Sequence, residues 1–349
     1  TGGTTISAGT LQLGEGVNGG TSGAITGNVT NAGVLAFNRA DVITFAGTIS
    51  DGAAPGAVQQ RGTGTTILTG ANSYRGGTTI SAGTLQIGDG GTSGAIAGNV
   101  TNAGVLAFNR SDAVTFAGTI SDGAAPGAVQ QRGTGTTILT GANSYRGGTT
   151  ISAGTLQIGD GGTSGAIAGN VTNAGVLAFN RSDAVTFAGT ISDGAAPGAV
   201  QQLGTGTTIL TADNTYSGGT TIGAGTLQIG NGGTSGAIAG NVTNNAALVV
   251  DRSDALTFAG TISGTGALTK RGANALTLTA DNTFSGLTTI EGGALQLGNG
   301  GATGGLAGDV LNNGALVIPT TPCSRRRRPL RGTRRVRRWS GSATVPWTC

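Results

Sequence analysis

One eleven-residue phrase constrains this chain more than any other feature, because it returns in register along almost the whole length. GGTTISAGTLQ stands at 2–12, 76–86 and 147–157, and variants of it stand at 218–228 and 286–296. The successive offsets are 74, 71, 71 and 68 residues. A catalytic site is needed once, whereas a phrase repeated at this spacing is a unit of architecture. The repetition therefore predicts a solenoid, in which each unit packs against its neighbours.

The phrase divides the chain into units of similar length. We place them at 1–75, 76–146, 147–217 and 218–285, with a truncated unit at 286–318. The second and third units differ at five positions, which are Arg132/Leu203, Gly141/Ala212, Ala142/Asp213, Ser144/Thr215 and Arg146/Ser217. Such near-identity indicates recent duplication of a whole unit, which solenoids tolerate.

Short runs inside each unit alternate apolar and polar residues with the period of a β-strand. The third unit gives Leu156, Ile158, Val185 and Phe187 as inward residues and Thr155, Gln157 and Thr186 as outward ones. Leucines of like setting recur after 21, 31 and 19 residues in the standard unit, which is the length of one solenoid coil. The sequence thus predicts an all-β, right-handed parallel β-helix with about three coils per 71-residue repeat. Coils rise about 4.8 Å each, so about fourteen coils are expected, with like residues of successive units about 14 Å apart.

The charge of the chain is unevenly distributed. Of 19 basic residues, nine are arginines after Ile318, which leaves ten basic against 15 acidic residues in the repeats. A sparsely charged, mildly acidic body does not match nucleic acid. Both cysteines, Cys323 and Cys349, also follow Ile318. The repeats therefore contain no disulfide or thiolate metal site.

The segment 319–349 departs from the repeats. Pro319 stands where the repeat calls for an acidic residue, and Arg325–Arg338 carries nine like charges. We expect disorder there, and we interpret the segment as the product of a frameshift in a GC-rich gene. The alternative is a functional basic tail that binds nucleic acid or an anionic membrane.

Few residues of the repeats suit catalysis. There is no His in the chain, so histidine triads and histidine metal sites are excluded. The GxGxxG match at 14–19 is interpreted as a turn, because no helix is predicted after it. Calcium binding at 88–91 is disfavoured, since that motif recurs every 71 residues and not every nine. We therefore expect no catalytic, cofactor-binding or metal-binding residue and no cofactor.

Several polar residues recur once per unit and have two interpretations each. Asp112, Asp122, Asp183 and Asp193 could serve a polysaccharide-active enzyme, but solvated turn carboxylates are favoured. Arg39/Asp41, Arg110/Asp112, Arg181/Asp183 and Arg252/Asp254 predict an exposed ion pair at one corner. The threonine pairs Thr149-Thr150 and Thr207-Thr208 could form a flat adhesive or ice-binding face, although strand propensity alone explains them. Asn28, Asn99, Asn170 and Asn241 begin N-V-T sequons, which matter only in a eukaryotic secretory route.

The phrases GGTTISAGTLQIG, NSYRGGTTI, NTYSGGTTI and GALTKRGANALTLTADNTFSG together resemble the passenger-associated repeats of Gram-negative autotransporters. The resemblance covers about 1–318. It implies an extracellular or outer-membrane passenger carried by a C-terminal β-barrel translocator. The sequence shows no barrel strands or aromatic girdles, so we expect the translocator outside it.

Three functions remain open at this point. The resemblance favours a structural surface stalk that supports its own secretion and displays other domains, without enzymatic activity or a stable oligomer. The alternatives are an adhesin that uses the repeated Thr/Asn face for a host surface or glycans, and part of an enzyme, either polysaccharide-active or with its catalytic domain elsewhere.

Overall fold

Every regular element of this chain is a parallel β-strand. The computed structural model describes residues 2–15 and 20–319, and it contains thirty-six strands of two to five residues. All the strand pairs of these residues are parallel. None of the described residues belongs to a helix that could span a lipid bilayer. The all-β prediction is confirmed.

The strands recur in the same order in each repeat. Repeat 1 holds β1 (Thr4–Ile6), β2 (Thr10–Leu13), β3 (Val29–Asn31), β4 (Val34–Phe37), β5 (Val42–Phe45), β6 (Ile49–Asp51), β7 (Ala57–Gln60) and β8 (Thr65–Leu68). Repeat 2 holds β9 (Thr78–Ile80), β10 (Thr84–Ile87), β11 (Val100–Asn102), β12 (Val105–Phe108), β13 (Ala113–Phe116), β14 (Ile120–Asp122), β15 (Ala128–Gln131) and β16 (Thr136–Leu139).

The same order continues to the last described turn. Repeat 3 holds β17 (Thr149–Ile151), β18 (Thr155–Ile158), β19 (Val171–Asn173), β20 (Val176–Phe179), β21 (Ala184–Phe187), β22 (Ile191–Asp193), β23 (Ala199–Gln202) and β24 (Thr207–Leu210). Repeat 4 holds β25 (Thr220–Ile222), β26 (Thr226–Ile229), β27 (Val242–Asn244), β28 (Ala247–Asp251), β29 (Leu256–Phe258), β30 (Ile262–Ser263), β31 (Ala267–Arg271) and β32 (Ala275–Leu278). The truncated unit holds β33 (Thr288–Ile290), β34 (Ala294–Leu297), β35 (Val310–Asn312) and β36 (Ala315–Val317).

The chain winds around three walls. A strand inside a sheet pairs with the wall positions three before it and three after it, as β10 does when Thr84 pairs with Thr65 of β8 and with Val105 of β12. Strands that end a sheet, such as β13 and β14, pair on one side only. Where a strand is missing, a single bridge residue takes its place, such as Ala95 or Ala142. The strands and bridges make about 15 turns, close to the fourteen coils predicted. The β-helix prediction is confirmed.

Successive repeats are rotated about the solenoid axis. A complete repeat crosses the walls ten times, with eight strands and two single bridge residues, and ten crossings of three walls make three and a third turns. Accordingly β5 and its copy β13 begin different eight-stranded sheets. About three coils per repeat is therefore correct, but like residues of successive repeats do not lie in line. They lie a third of a turn apart and about 16 Å along the axis, and the same wall recurs after ten turns, or about 48 Å.

The apolar core lies inside the three walls, where alternation predicted it. Leu156 is 0% exposed, Ile158 1% and Phe187 3%. Thr186 is exposed and Gln157 is half-buried, so the assignment of inward and outward residues is confirmed. Val185, predicted to point inward, is half-buried. Three aromatic pairs, Phe37–Phe45, Phe108–Phe116 and Phe179–Phe187, pack with ring centroids 5.9 to 6.1 Å apart.

Glycine is abundant because the corners of stacked turns nearly touch. A Cβ placed on Gly189 would lie 2.0 Å from the carbonyl oxygen of Gly169 on the previous turn. Gly154 turns a corner at φ +61°, where residues with a side chain are strained. Close stacking of corners thus requires many of the 70 glycines.

Asparagine holds the turns together where the strand ladder is interrupted. Asn143 accepts a hydrogen bond at Oδ1 from the Ile120 amide at 2.8 Å. Its Nδ2 donates to the carbonyl oxygens of Gly141 at 3.0 Å and Ala166 at 2.9 Å. These contacts join three consecutive turns. Equivalent bonds are made by Asn72, Asn214 and Asn282.

Candidate functional site

The most exposed feature of each repeat is a glycine-rich loop that leaves a corner of the solenoid. In repeat 2 it runs from Gly88 to Gly94, and residues 89–93 are exposed. Copies lie at 159–165, 230–236 and 298–304. Because each repeat is rotated by a third of a turn, successive loops leave from successive edges of the solenoid.

In each of the four complete repeats an arginine binds the glycine-rich loop by hydrogen bonds to its backbone. Arg110 donates from Nε and Nη2 to the two carboxylate oxygens of Asp112 at 2.9 and 2.7 Å, and from Nη1 to the Gly94 carbonyl oxygen at 2.5 Å. The arginine side chains of this set are 8–12% exposed and the aspartates 36–41%. The predicted exposed ion pair is therefore wrong for the arginine, which the loop covers. The set comprises Arg39/Asp41, Arg110/Asp112, Arg181/Asp183 and Arg252/Asp254.

The recurring carboxylates are engaged as hydrogen-bond acceptors. The Arg110 and Arg181 guanidinium groups lower the pKa of Asp112 and Asp183 by hydrogen bonding, against a smaller opposing effect of desolvation. Asp122 accepts from Nε of Arg146 at 2.7 Å, and hydrogen bonding lowers its pKa too. Asp193 has Ser217 in place of that arginine. Such ionised, bonded carboxylates stabilise corners and are poorly suited to proton transfer.

The other predicted candidates have structural positions. Thr149 is buried and bonds the Tyr145 hydroxyl at 2.8 Å, and Thr208 is 1% exposed, so each threonine pair presents one hydroxyl outward. Asn99 accepts from the Thr119 amide at 2.9 Å. The GxGxxG match at 14–19 and the tail at 320–349 fall largely or wholly outside the described residues. Within the described ranges, no three His, Cys, Asp or Glu side chains are grouped to hold a metal ion.

The flat walls carry a second surface feature, which sequence reasoning missed. The central outward residues of six successive strands on one wall lie in register, and we call such a line an outward row. Row 1 is Gln12, Ala36, Gln59, Thr79, Thr101 and Ser121. Row 2 is Gln86, Ala107, Gln130, Thr150, Thr172 and Ser192. Row 3 is Gln157, Ala178, Gln201, Thr221, Thr243 and Ser263.

An arginine bridges the two glutamines of row 1 and of row 2. Arg132 donates from Nε to Oε1 of Gln130 and from Nη1 to Oε1 of Gln86, both at 2.8 Å, and so spans Ala107 between them. Arg61 bridges Gln59 and Gln12 in the same way, at 2.7 and 2.9 Å. In row 3 the equivalent residue is Leu203, which is 38% exposed. The residues of each row are thus amides, hydroxyls and alanine. Rows 1 and 2 also have an arginine beside them, and row 3 has Leu203 in its place.

Comparison with known proteins agrees with this architecture. The profile of the passenger-associated-transport-repeat matches residues 1–13, 58–87, 129–158, 200–229 and 268–297. Together with the parallel β-solenoid, these matches define an autotransporter passenger repeat protein, which is secreted to the cell surface.

One curated relative has a similar sequence. It is the adhesin BmaC autotransporter of Brucella suis biovar 1 (strain 1330), which is 38% identical over 256 residues. The match covers 67% of this chain and 7% of the relative, so the chain spans a small part of that protein's length. No solved structure matches the chain. The resemblance to autotransporter passengers is confirmed.

Proposed function

We propose that this chain is a rigid stalk in a surface passenger, which displays other parts of the protein and supports its own secretion. The observation that carries this function is the continuous stack of about 15 turns, in which strand ladders and asparagine side chains hydrogen-bond each turn to the turns beside it. A solenoid of this kind can fold one turn at a time as the chain emerges. Folding outside the cell then opposes backward sliding.

Two properties of the repeats suit export of an unfolded chain through a narrow pore. No cysteine precedes Cys323, so no disulfide can block the chain before it crosses. Charged residues make up 10% of the sequence, and nine of them lie in the arginine-rich tail. We infer that the partner for export is the protein's own C-terminal translocator. No catalytic role is proposed, because the recurring carboxylates bind arginines and backbone amides.

The test compares export of two matched variants of the repeats joined to a translocator. Phe187→Asp places an unpaired carboxylate in the core and stops the stacking of turns, whereas Thr186→Asp changes an exposed neighbour. Surface display should fall sharply for the first and remain near wild type for the second, as measured by protease access on intact cells. Equal display of both variants would show that export does not depend on solenoid folding.

Adhesion is the second function, and two observations favour it. The relative's name describes an adhesin. The outward rows also form extended hydrogen-bonding surfaces, and row 3 lacks the charged arginine that bridges the glutamines of the other two. We propose that the stalk also contributes to attachment through its walls.

A further inference from the structure

The difference between rows 2 and 3 is unusual because their repeats are almost identical. Arg132 and Leu203 form one of only five differences between those repeats. Gln86 under the arginine is 6% exposed, whereas its copy Gln157 is half-buried. Replacing the arginine by leucine thus leaves the first glutamine of row 3 more exposed than its copy in row 2, while the alanine beside it stays buried in both rows.

The arginines of rows 1 and 2 show what the glutamine end of a row accepts. Each guanidinium donates to the side-chain oxygens of two glutamines whose strands lie two turns apart, about 9.6 Å along the axis, and passes over a buried alanine. In row 3 the Nε2 of Gln157 donates to the Gly159 carbonyl oxygen at 2.8 Å. Among the described residues, neither Oε1 of Gln157 nor the Gln201 amide has a side-chain donor such as Arg132. Row 3 therefore presents the same acceptors to an external group.

The rest of row 3 defines the shape and chemistry of that group. Thr221, Thr243 and Ser263 continue the line, so the row crosses six turns and spans about 24 Å. Amides and hydroxyls both donate and accept hydrogen bonds. The row itself contains no charged residue, and Leu203 adds an exposed apolar contact at its edge.

We propose that row 3 binds an extended, uncharged glycan chain that lies parallel to the solenoid axis. Sugar hydroxyls match the donors and acceptors of the row, and the apolar face of a sugar ring matches Leu203, which is 38% exposed. A single small cation would contact only the two glutamines of row 3, whereas an extended polymer would lie along all six turns of the row. This inference deepens the proposed adhesive function and rests on it.

The chain offers its own matched variants for the test. Leu203→Arg gives repeat 3 the residue of repeats 1 and 2 and closes row 3. Arg132→Leu gives repeat 2 the residue of repeat 3 and opens row 2. Both changes exist naturally in a neighbouring copy, so both variants should fold, which circular dichroism would verify.

Isothermal titration of the full chain with cellohexaose and with chitohexaose measures affinity and stoichiometry. Wild type should bind one hexasaccharide of at least one kind, L203R should bind at least tenfold more weakly, and R132L should bind two. Absence of binding by both sugars, or an L203R affinity equal to wild type, would overturn the proposal. So would binding of an arginine-containing peptide in place of the sugars, since the row would then receive a protein partner.

Surface display tests the stalk function separately from sugar binding. Surface display of L203R should equal that of wild type, because the substitution leaves the core unchanged. Loss of sugar binding with normal display would support the glycan site, whereas normal display with no sugar binding by wild type would refute that site and leave the stalk function standing.

Discussion

At the scale of single residues, repeat 4 differs from the others in one buried hydrogen bond. In repeats 1 to 3 a buried tyrosine hydroxyl bonds a buried threonine, as in Tyr216–Thr220 at 2.8 Å. Repeat 4 has Phe284 at the tyrosine position, and Oγ1 of Thr288 is buried without a partner. Burial also raises the pKa of the three tyrosines, since it disfavours their ionised form.

Phe284→Tyr should therefore stabilise the protein by about 1 kcal/mol, because it supplies the missing partner of Thr288. Urea denaturation would measure the free energy of unfolding. The reverse substitution, Tyr216→Phe, is the control and should destabilise by a similar or larger amount, since it orphans Thr220. A loss of stability in Phe284→Tyr would contradict the assignment.

Repeat 4 also differs from repeat 3 in the size of two core side chains, one smaller and one larger. Val250 stands where repeat 3 has Phe179, and Leu276 stands where repeat 3 has the buried Thr208. Both line an apolar cavity of about 20 Å³. The larger leucine thus offsets part of the volume that the valine lacks.

The two positions should consequently be coupled. Val250→Phe alone should destabilise by about 1–3 kcal/mol, because the ring exceeds the small cavity. Val250→Phe with Leu276→Thr restores the combination of repeat 3 and should recover at least half of that loss. A double-mutant cycle in urea would measure the coupling, and strict additivity would show that the positions are independent.

At the scale of elements, the arginine clamps make the loops sensitive to acid. Hydrogen bonding from the arginine lowers the pKa of Asp183 in the folded state below the unfolded value of about 3.9. A carboxyl group of this kind stabilises the fold above the unfolded pKa, and the stabilisation is lost as pH falls through the folded pKa.

Wild type should accordingly lose thermal stability mainly below about pH 4. Asp183→Asn should have a lower Tm than wild type at pH 7, and the gap should narrow as pH falls to about 3. Asp160→Asn, in the exposed loop, is the matched control. Thermal melts between pH 3 and 7 would test this, and a constant gap would mean that the clamp does not depend on the ionised carboxylate.

The strands were predictable from sequence, whereas the path between them was not. Alternation in 155–158 and the recurrence of leucines identify inward residues and coils, because these signals are local. The rotation by a third of a turn depends on Ala95 and Ala142, which cross a wall without an alternating segment. The arginine bridges were also hidden, since Arg132 and Gln86 are 46 residues apart and meet only through the strand register.

At the scale of the whole molecule, each complete repeat should be removable. Deletion of 147–217 removes ten wall crossings, so β16 and the bridge at Ala142 would be followed by β25 in the position that β17 occupies. Because the solenoid contacts are between neighbouring turns, the remaining turns should stay folded. The rod should shorten by about 16 Å, as measured by small-angle scattering.

A control deletion of 147–193 removes seven crossings, so β23 would follow the bridge at Ala142 in the position that β17 occupies, out of the order of the repeat. It should unfold the turns near the junction and lower the Tm much more than the repeat deletion. Equal stability of the two deletions would mean that the order of strands within a repeat does not constrain the chain.

Because of the rotation between repeats, the number of repeats sets the orientation of the tip as well as the length of the stalk. Gene duplication lengthens the stalk, and each added copy also turns everything beyond it by 120° relative to the base. Three copies add up to a full rotation about the solenoid axis. The side toward which the tip faces therefore depends on the remainder when the number of repeats is divided by three. Lineages that gain or lose a single copy would aim the same tip in a new direction, without altering any residue of it.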